Sequence, residues 1–178
     1  MGLAPKNAGR GLMSSICLID TSVFVNMLNV PGLNQDAERV GADFLDYVDS
    51  NCTFILPMAT ILETGNHIAQ NGDGRLRRHT AQRFCDAVCA AFADEPPYRL
   101  SEFPSTREVL EWLAEFPDKA GQNKAGNRTG EGTSFGDLSI IKEYERCVAR
   151  FPMSELFIWS LDSDLEAYHH RPEHVAHR

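Results

Sequence analysis

The chain has 178 residues, of which 43% are hydrophobic and 24% are charged, and these values are ordinary for one globular domain. The formal net charge of −8 argues against a protein that coats duplex nucleic acid, because that mode of binding needs many Lys and Arg contacts to phosphates. No apolar run approaches the roughly 20 residues that a membrane-spanning helix requires. We therefore expect one domain, with any nucleic-acid contact confined to a local site.

The cysteines and the two ends of the chain indicate its cellular compartment and the limits of its folded domain. The five cysteines include no CxxC pair, so we expect reduced thiols rather than a zinc or redox motif. Residues 1–14 lack the continuous apolar stretch of a secretion signal, and we predict a flexible N-terminal segment there. We expect a cytoplasmic protein whose folded domain spans 15–168, followed by a polar, histidine-rich tail over 169–178.

The first half of the chain alternates between short apolar strands and amphipathic helices. The apolar run over 16–19 predicts a buried strand, and a short helix follows it until a Pro-Gly pair. Residues 34–50 carry apolar side chains at three- and four-residue spacing, which is typical of an amphipathic helix. Residues 53–56 predict a second buried strand, and a third helix follows over 58–70.

The second half of the chain continues this alternation. Helices are predicted over 75–93, from Ser105 to Pro117 and from Ser134 onward, and strands over 98–100 and 156–159. Between the last two of these helices, residues 118–133 are rich in Gly, Asn and Lys and predict a mobile loop. Buried strands alternating with helices indicate a three-layer α/β/α fold with a central, mostly parallel sheet.

Acidic residues follow the predicted strands or begin the helices after them. The four candidates are Asp20, Glu63, Asp137 and Asp162. The carboxyl ends of parallel strands meet at one edge of a sheet, so we expect these carboxylates to share a crevice there. Four carboxylates so close together would repel one another without a counter-ion. Mg²⁺ or Mn²⁺ would be that counter-ion, because both bind oxygen ligands. We therefore predict a metal site, with Asp164 as a further ligand and Ser22 and Ser160 as supporting hydroxyls.

Each acid also has a simpler interpretation. Asp20 and Asp137 are suited to cap the helices that begin beside them, since Asp accepts hydrogen bonds from free backbone N–H groups. Most helix glutamates face solvent, as Glu63 could, and either Asp162 or Asp164 could cap the last helix. The metal hypothesis depends on the four acids occurring together, and not on any one of them.

Taken in chain order, these motifs resemble those of a known family. They are Asp20-Thr21-Ser22 after the first strand, Thr60-x-x-Glu63, Gly136-Asp137-x-x-Ile140, and Ser160-x-Asp162 after the last strand. The pattern resembles the PIN-domain nucleases, among them the VapC-like toxin ribonucleases of bacterial toxin–antitoxin pairs, over residues 16–168. The extra length at 71–97 and the Gly/Asn-rich loop before Asp137 depart from compact members of that family.

The resemblance implies hydrolysis of an RNA phosphodiester bond by a metal-activated water, with the acids holding Mg²⁺ or Mn²⁺. It also implies three partners, which are single-stranded or looped RNA, an antitoxin protein, and a second copy of the chain in a homodimer. The basic residues favoured for RNA contact are Arg75, Arg77, Arg78 and Arg83, with Lys119, Lys124 and Arg128 as a second group. The alternative is a non-catalytic PIN-fold module that binds protein or RNA, in which the acids only cap helices.

Overall fold

The computed structural model describes residues 15–122 and 130–172, and it shows a central sheet covered by helices on both faces. The strands are β1 (Ser15–Ile19), β2 (Thr53–Leu56), β3 (Tyr98–Leu100), β4 (Glu155–Trp159) and β5 (His169–His170). Their order is β3-β2-β1-β4-β5, and every pairing is parallel except that of β4 with β5. The predicted α/β fold with a mostly parallel sheet is confirmed.

Seven helices lie within the described residues. They are α1 (Thr21–Met27), α2 (Ala37–Asp49), α3 (Met58–Ala69), α4 (Gly74–Phe92), α5 (Thr106–Gly121), α6 (Phe135–Arg150) and α7 (Ser163–Glu166). Each connects or follows strands in the alternation that the sequence predicted. Over the same residues, none of the helices is both long and apolar enough to cross a lipid bilayer.

Helix α5 begins as predicted but ends later. Ser105 caps it through a capping box with Glu108, as the sequence indicated. The helix then continues through Pro117, so the prediction that this proline ends it was wrong. An internal proline removes one helical hydrogen bond, and here the last turn gains another contact, because Thr133 N donates to Lys119 O at 3.3 Å. Within the predicted loop over 118–133, residues 123–129 lie outside the described residues.

Strand β1 lies at the centre of the sheet, and its side chains alternate between two cores. Cys17 and Ile19 pack in one cluster with side chains from α1 to α4, whereas Ile16 and Leu18 pack in a second cluster with side chains from α6. Because both faces are covered, the strand reads as a nearly continuous apolar run. The carboxyl end of β1, where Asp20 follows, is thereby held between two helical layers.

The sheet extends past the predicted domain boundary at residue 168. His169 and His170 pair with Phe157 and Leu156 of β4 to form the edge strand β5, and His169 Nε2 lies 2.8 Å from Glu155 Oε1. A polar sequence does not exclude an edge strand, since its outward side chains face solvent. Residues 1–14 and 173–178, predicted as a flexible segment and the end of the tail, lie outside the described residues.

Candidate active site

The carboxyl ends of β1 and β4 lie side by side, and the residues after them form one hydrogen-bonded unit. Asp20 N donates to Trp159 O at 3.0 Å, which holds the turn after β1 against the last residue of β4. Asp20 and Ser160 are therefore neighbours, each being the first residue after its strand. Both are 5% exposed, so this edge of the sheet carries a buried carboxylate.

Asp20 accepts three hydrogen bonds, and all of them end on Oδ2. The donors are Ser22 N at 3.2 Å, Ser22 Oγ at 2.6 Å and Ser160 Oγ at 2.8 Å. The bond from the backbone makes Asp20 the N-cap of α1, so the simpler interpretation of this residue holds. Two hydroxyl donors exceed what a helix cap needs, and Oδ1 has no donor among the described residues. Oδ1 is therefore the oxygen of Asp20 that could take a ligand.

The hydroxyls of Ser22 and Ser160 tie the two strand ends together. Ser22 Oγ accepts a hydrogen bond from Leu161 N at 2.9 Å, and Ser160 Oγ accepts one from Asp162 N at 2.9 Å. Each hydroxyl thus accepts from the backbone and donates to Asp20, which fixes its orientation. Both residues proposed as supporting hydroxyls contact the Asp20 carboxylate directly and set its direction.

Glu63 approaches the same edge from α3. Thr21 Oγ1 donates to Glu63 Oε2 at 2.8 Å, and Thr60, one turn earlier on α3, donates to Ile19 O at 2.8 Å. These two bonds hold the start of α3 against the end of β1. The carboxylate also lies against Gly136, because a β-carbon built there would stand 2.0 Å from Glu63 Oε1. The missing side chain at position 136 lets Glu63 reach the first turn of α6.

Asp137 lies in that first turn, next to Gly136. Ser134 caps α6, since its Oγ accepts a hydrogen bond from Asp137 N at 3.0 Å. Asp137 and Asp164 both line a cavity of about 220 Å³ between α5, α6 and α7. Asp162 instead caps α7, where it accepts from Asp164 N at 3.1 Å. Asp162 and Asp164 therefore have different surroundings. Asp162 is linked to Asp20 through Ser160, whereas Asp164 lines the same cavity as Asp137.

Contacts between neighbours bring all four predicted acids to one edge of the sheet. The links in order are Asp162 to Ser160, Ser160 to Asp20, Thr21 to Glu63, and Glu63 to Gly136 beside Asp137. Across residues 15–122 and 130–172, however, no three Asp, Glu, His or Cys side chains converge closely enough to hold one metal ion. Asp20, Glu63 and Asp162 each accept a hydrogen bond from a hydroxyl or a backbone N–H instead.

The donor set at this edge suits a hard divalent cation. It consists of carboxylate oxygens backed by oriented hydroxyls, and Asp20 contributes one oxygen without a protein donor among the described residues. Mg²⁺ typically takes only one or two carboxylates directly and keeps several waters. A hydrated ion therefore does not require three acids that already converge, and the residues present fit such an ion chemically.

The four arginines predicted to bind RNA fall into two groups. Arg77 and Arg83 donate to backbone carbonyl oxygens of two neighbouring loops, at 2.5 and 3.2 Å, so both tie α4 to the rest of the fold. Arg75 and Arg78 are exposed on the first turns of α4. A role of these side chains in RNA binding stays a prediction, and Lys124 and Arg128 lie outside the described residues.

Three residues at this edge have contacts that the sequence did not predict. Thr21 donates to Glu63, and Tyr168 lines the cavity beside Asp137. Lys119, assigned to a mobile loop, belongs to the last turn of α5 and lines the same cavity. A hydroxyl directly after a strand was the available signal for Thr21, whereas the other two depend on how α5 and α7 pack.

Comparison with known proteins bears on the fold. No protein-family model matches the chain, and the search of curated proteins found no match. Among solved structures, the crystal structure of FitAcB from Neisseria gonorrhoeae is similar, with a TM-score of 0.53 and 18% sequence identity over 85% of this chain and 91% of that chain. At this identity the likeness shows a shared fold alone. The chain thus shares its three-layer α/β fold with that structure.

Proposed function

We propose that this protein is a metal-dependent endoribonuclease that hydrolyses RNA phosphodiester bonds with a metal-activated water. The observation that carries this proposal is the chain of contacts that joins Asp20, Glu63, Asp162 and the Gly136-Asp137 turn at one edge of a parallel sheet. Ligands bind at this edge in open α/β sheets. The likeness to a solved structure supports the fold, so the proposed activity rests on these residues.

The acids and hydroxyls of the site would have different tasks. The residues that would hold Mg²⁺ or Mn²⁺ are Asp20, Glu63, Asp137 and Asp162, with Asp164 as a further ligand. When bound, the ion would lower the pKa of a coordinated water and neutralise charge on the scissile phosphate. Ser22 and Ser160 orient the Asp20 carboxylate, and Thr21 orients Glu63. No side-chain nucleophile is needed.

The finer assignment follows the resemblance to the toxin ribonucleases. On that basis the chain would be a cytoplasmic toxin that forms a homodimer and is inhibited by an antitoxin protein. Its RNA would be single-stranded or looped, because duplex RNA offers side chains only a shallow minor groove and a narrow major groove. With a net charge of −8, the chain would rely on a few local cations such as Arg75 and Arg78.

A second candidate function is a non-catalytic PIN-fold module that binds protein or RNA. Two observations favour it. Asp20 and Asp162 cap α1 and α7, and no three acidic, histidine or cysteine side chains converge on one point among the residues described. In that case the acids serve the fold, and divalent cations would not permit cleavage.

The test is cleavage of a long, structured single-stranded RNA with Mn²⁺ and with EDTA. Asp20→Asn keeps the shape of the side chain but removes its charge, and Asp46→Asn removes an exposed acid of α2 as a matched control. We expect cleavage by the wild type in Mn²⁺ alone, a loss of about 100-fold or more in Asp20→Asn, and no loss in Asp46→Asn. Equal activity of the wild type and Asp20→Asn would refute the nuclease and favour the interaction module.

A further inference from the structure

Besides Asp137 and Asp164, the cavity is lined by side chains that could contact different parts of a ligand. They are a cationic side chain, Lys119; an apolar floor, Leu138 and Leu165; and an aromatic ring, Tyr168. The Tyr168 ring is held by an edge contact with Tyr144, with ring centroids 5.6 Å apart. The cavity therefore combines acidic side chains, which are Asp137, Asp164 and Glu145, with an apolar surface, an aromatic ring and a cation.

Among the described residues, two lysines line this cavity, and one of them is open to a ligand. Lys142 Nζ lies 2.7 Å from Glu115 Oε2 and 3.2 Å from Glu145 Oε2. The hydrogen bond to Glu115, followed by the bond and charge of Glu145, raises the pKa of Lys142, and its charge is balanced. Lys119 is exposed and has no ion-pair partner in the described part of the chain.

The segment before α6 fixes Lys119 beside the acids. Thr133 N donates to Lys119 O, and a β-carbon on Gly132 would stand 1.9 Å from Ala120 O. Two backbones can approach this closely only where one residue has no side chain. The last turn of α5 is thereby held against the start of α6, which carries Asp137.

We infer that this cavity binds one nucleotide of single-stranded RNA next to the scissile phosphate, an inference that rests on the proposed ribonuclease function. Lys119 contacts a phosphate, since a lysine ammonium binds phosphate as a compact charge. The base lies over Leu165 and against Tyr168, because aromatic side chains stack on any base. Asp137 and Asp164 then stand at the end of the nucleotide where the bond is cut.

The test is binding of a short, mixed-sequence single-stranded RNA oligonucleotide in Mg²⁺, measured by fluorescence anisotropy. All variants carry Asp20→Asn, which keeps the RNA intact. Lys119→Ala is compared with Arg107→Ala, which removes one charge from the same helix, where Arg107 pairs with Glu111 outside the cavity. We expect Lys119→Ala to weaken binding by about 3- to 10-fold and to reduce the salt slope by about 0.7 to 1.

The aromatic contact is tested in the same assay. Tyr168→Leu keeps an apolar side chain but removes the ring, and it should weaken binding by about 5-fold or more, while Tyr168→Phe should bind as the parent chain does. Arg107→Ala should change affinity by less than about 2-fold, because its guanidinium is paired and lies outside the cavity.

The outcomes separate this inference from the proposed function. If the wild type cleaves RNA but Lys119→Ala and Arg107→Ala bind alike with the same salt slope, the nucleotide site is wrong and the ribonuclease stands. If the wild type does not cleave RNA but Lys119→Ala selectively weakens binding, the site stands and the ribonuclease fails. If the oligonucleotide does not bind at all, the nucleotide site is wrong whatever the activity.

Discussion

Two buried carboxylates of this chain have opposite surroundings. Asp20, 5% exposed, lies at the edge of the sheet and accepts three hydrogen bonds from Ser22 and Ser160. Glu143, 3% exposed, lies on α6, and its Oε2 has no hydrogen-bond partner among the described residues. Burial alone therefore does not mark a functional acid. What distinguishes Asp20 is a set of donors that orients its carboxylate and leaves one oxygen open.

The surroundings of Glu143 change its protonation. Burial raises its pKa from 4.5 to about 7, because desolvation disfavours the ionised form, and the Ser101 hydroxyl and the Arg146 guanidinium oppose the shift only in part. Between pH 4.5 and about 7, Glu143 thus binds more protons in the folded chain than in the unfolded chain. The contribution of Glu143 to stability therefore falls as pH rises through this window, and the loss stays in full above it.

Glu143→Gln should give the largest change in stability. Because Gln has no proton to lose, the variant should lack this fall and should be more stable than the wild type by up to about 3 kcal/mol above pH 7. Urea unfolding from about pH 4.5 to about pH 8 would show two curves that meet at the acid end. The control is Glu145→Gln, which changes an exposed neighbour. Its stability should fall with rising pH as that of the wild type does. Parallel curves for Glu143→Gln and the wild type would show that Glu143 is not the group responsible.

Ser160→Ala tests how much the hydrogen bonds around Asp20 contribute to stability. The variant removes one donor to Asp20 and the acceptor for Asp162 N, and we expect a loss of about 2 kcal/mol in the free energy of unfolding. Ser50→Ala is the matched control, because that hydroxyl is exposed and donates only to Tyr47 O; its effect should be below about 0.5 kcal/mol. Equal losses in the two variants would mean that the donors around Asp20 contribute no special stability.

Gly136→Ala extends the comparison to Glu63, a carboxylate of intermediate burial. The new methyl group would occupy the place of Glu63 Oε1, and the flexible carboxylate would move away at a cost below about 1 kcal/mol. We expect RNA cleavage to fall by about 10-fold, because a 1 Å displacement in a site is costly. Gly41→Ala, at an open position of α2, should leave cleavage unchanged. Unchanged cleavage by Gly136→Ala would remove Glu63 from the site.

Apart from the edge strand β5, the sequence was sufficient for the order of the strands and longer helices, because their signals are local. The buried run over 16–19 is apolar on both faces, which is typical of a central parallel strand, and Ser105 with Glu108 forms a capping box. The placement of Asp20 followed from the same signals, since a residue directly after a parallel strand lies at the carboxyl edge of the sheet.

Other features depend on packing between distant segments and had no local signal. Glu143 reads as an ordinary helix glutamate, whereas in the structure it is buried on α6, beside the segment after β3 that carries Ser101. Helix α5 continues past Pro117 with its last turn held by residues 132–133. Those contacts also place Lys119 beside the acids, which the composition of that region could not indicate.

The most direct test of the central claim is Mn²⁺ binding measured by isothermal titration calorimetry. If the acids at the ends of β1 and β4 form a cation site, the wild type should bind Mn²⁺, Asp46→Asn should bind it equally well, and Asp20→Asn should bind it about 10-fold more weakly or worse. Equal binding by Asp20→Asn and the wild type, or no binding by either, would contradict the claim that this edge of the sheet is a metal site.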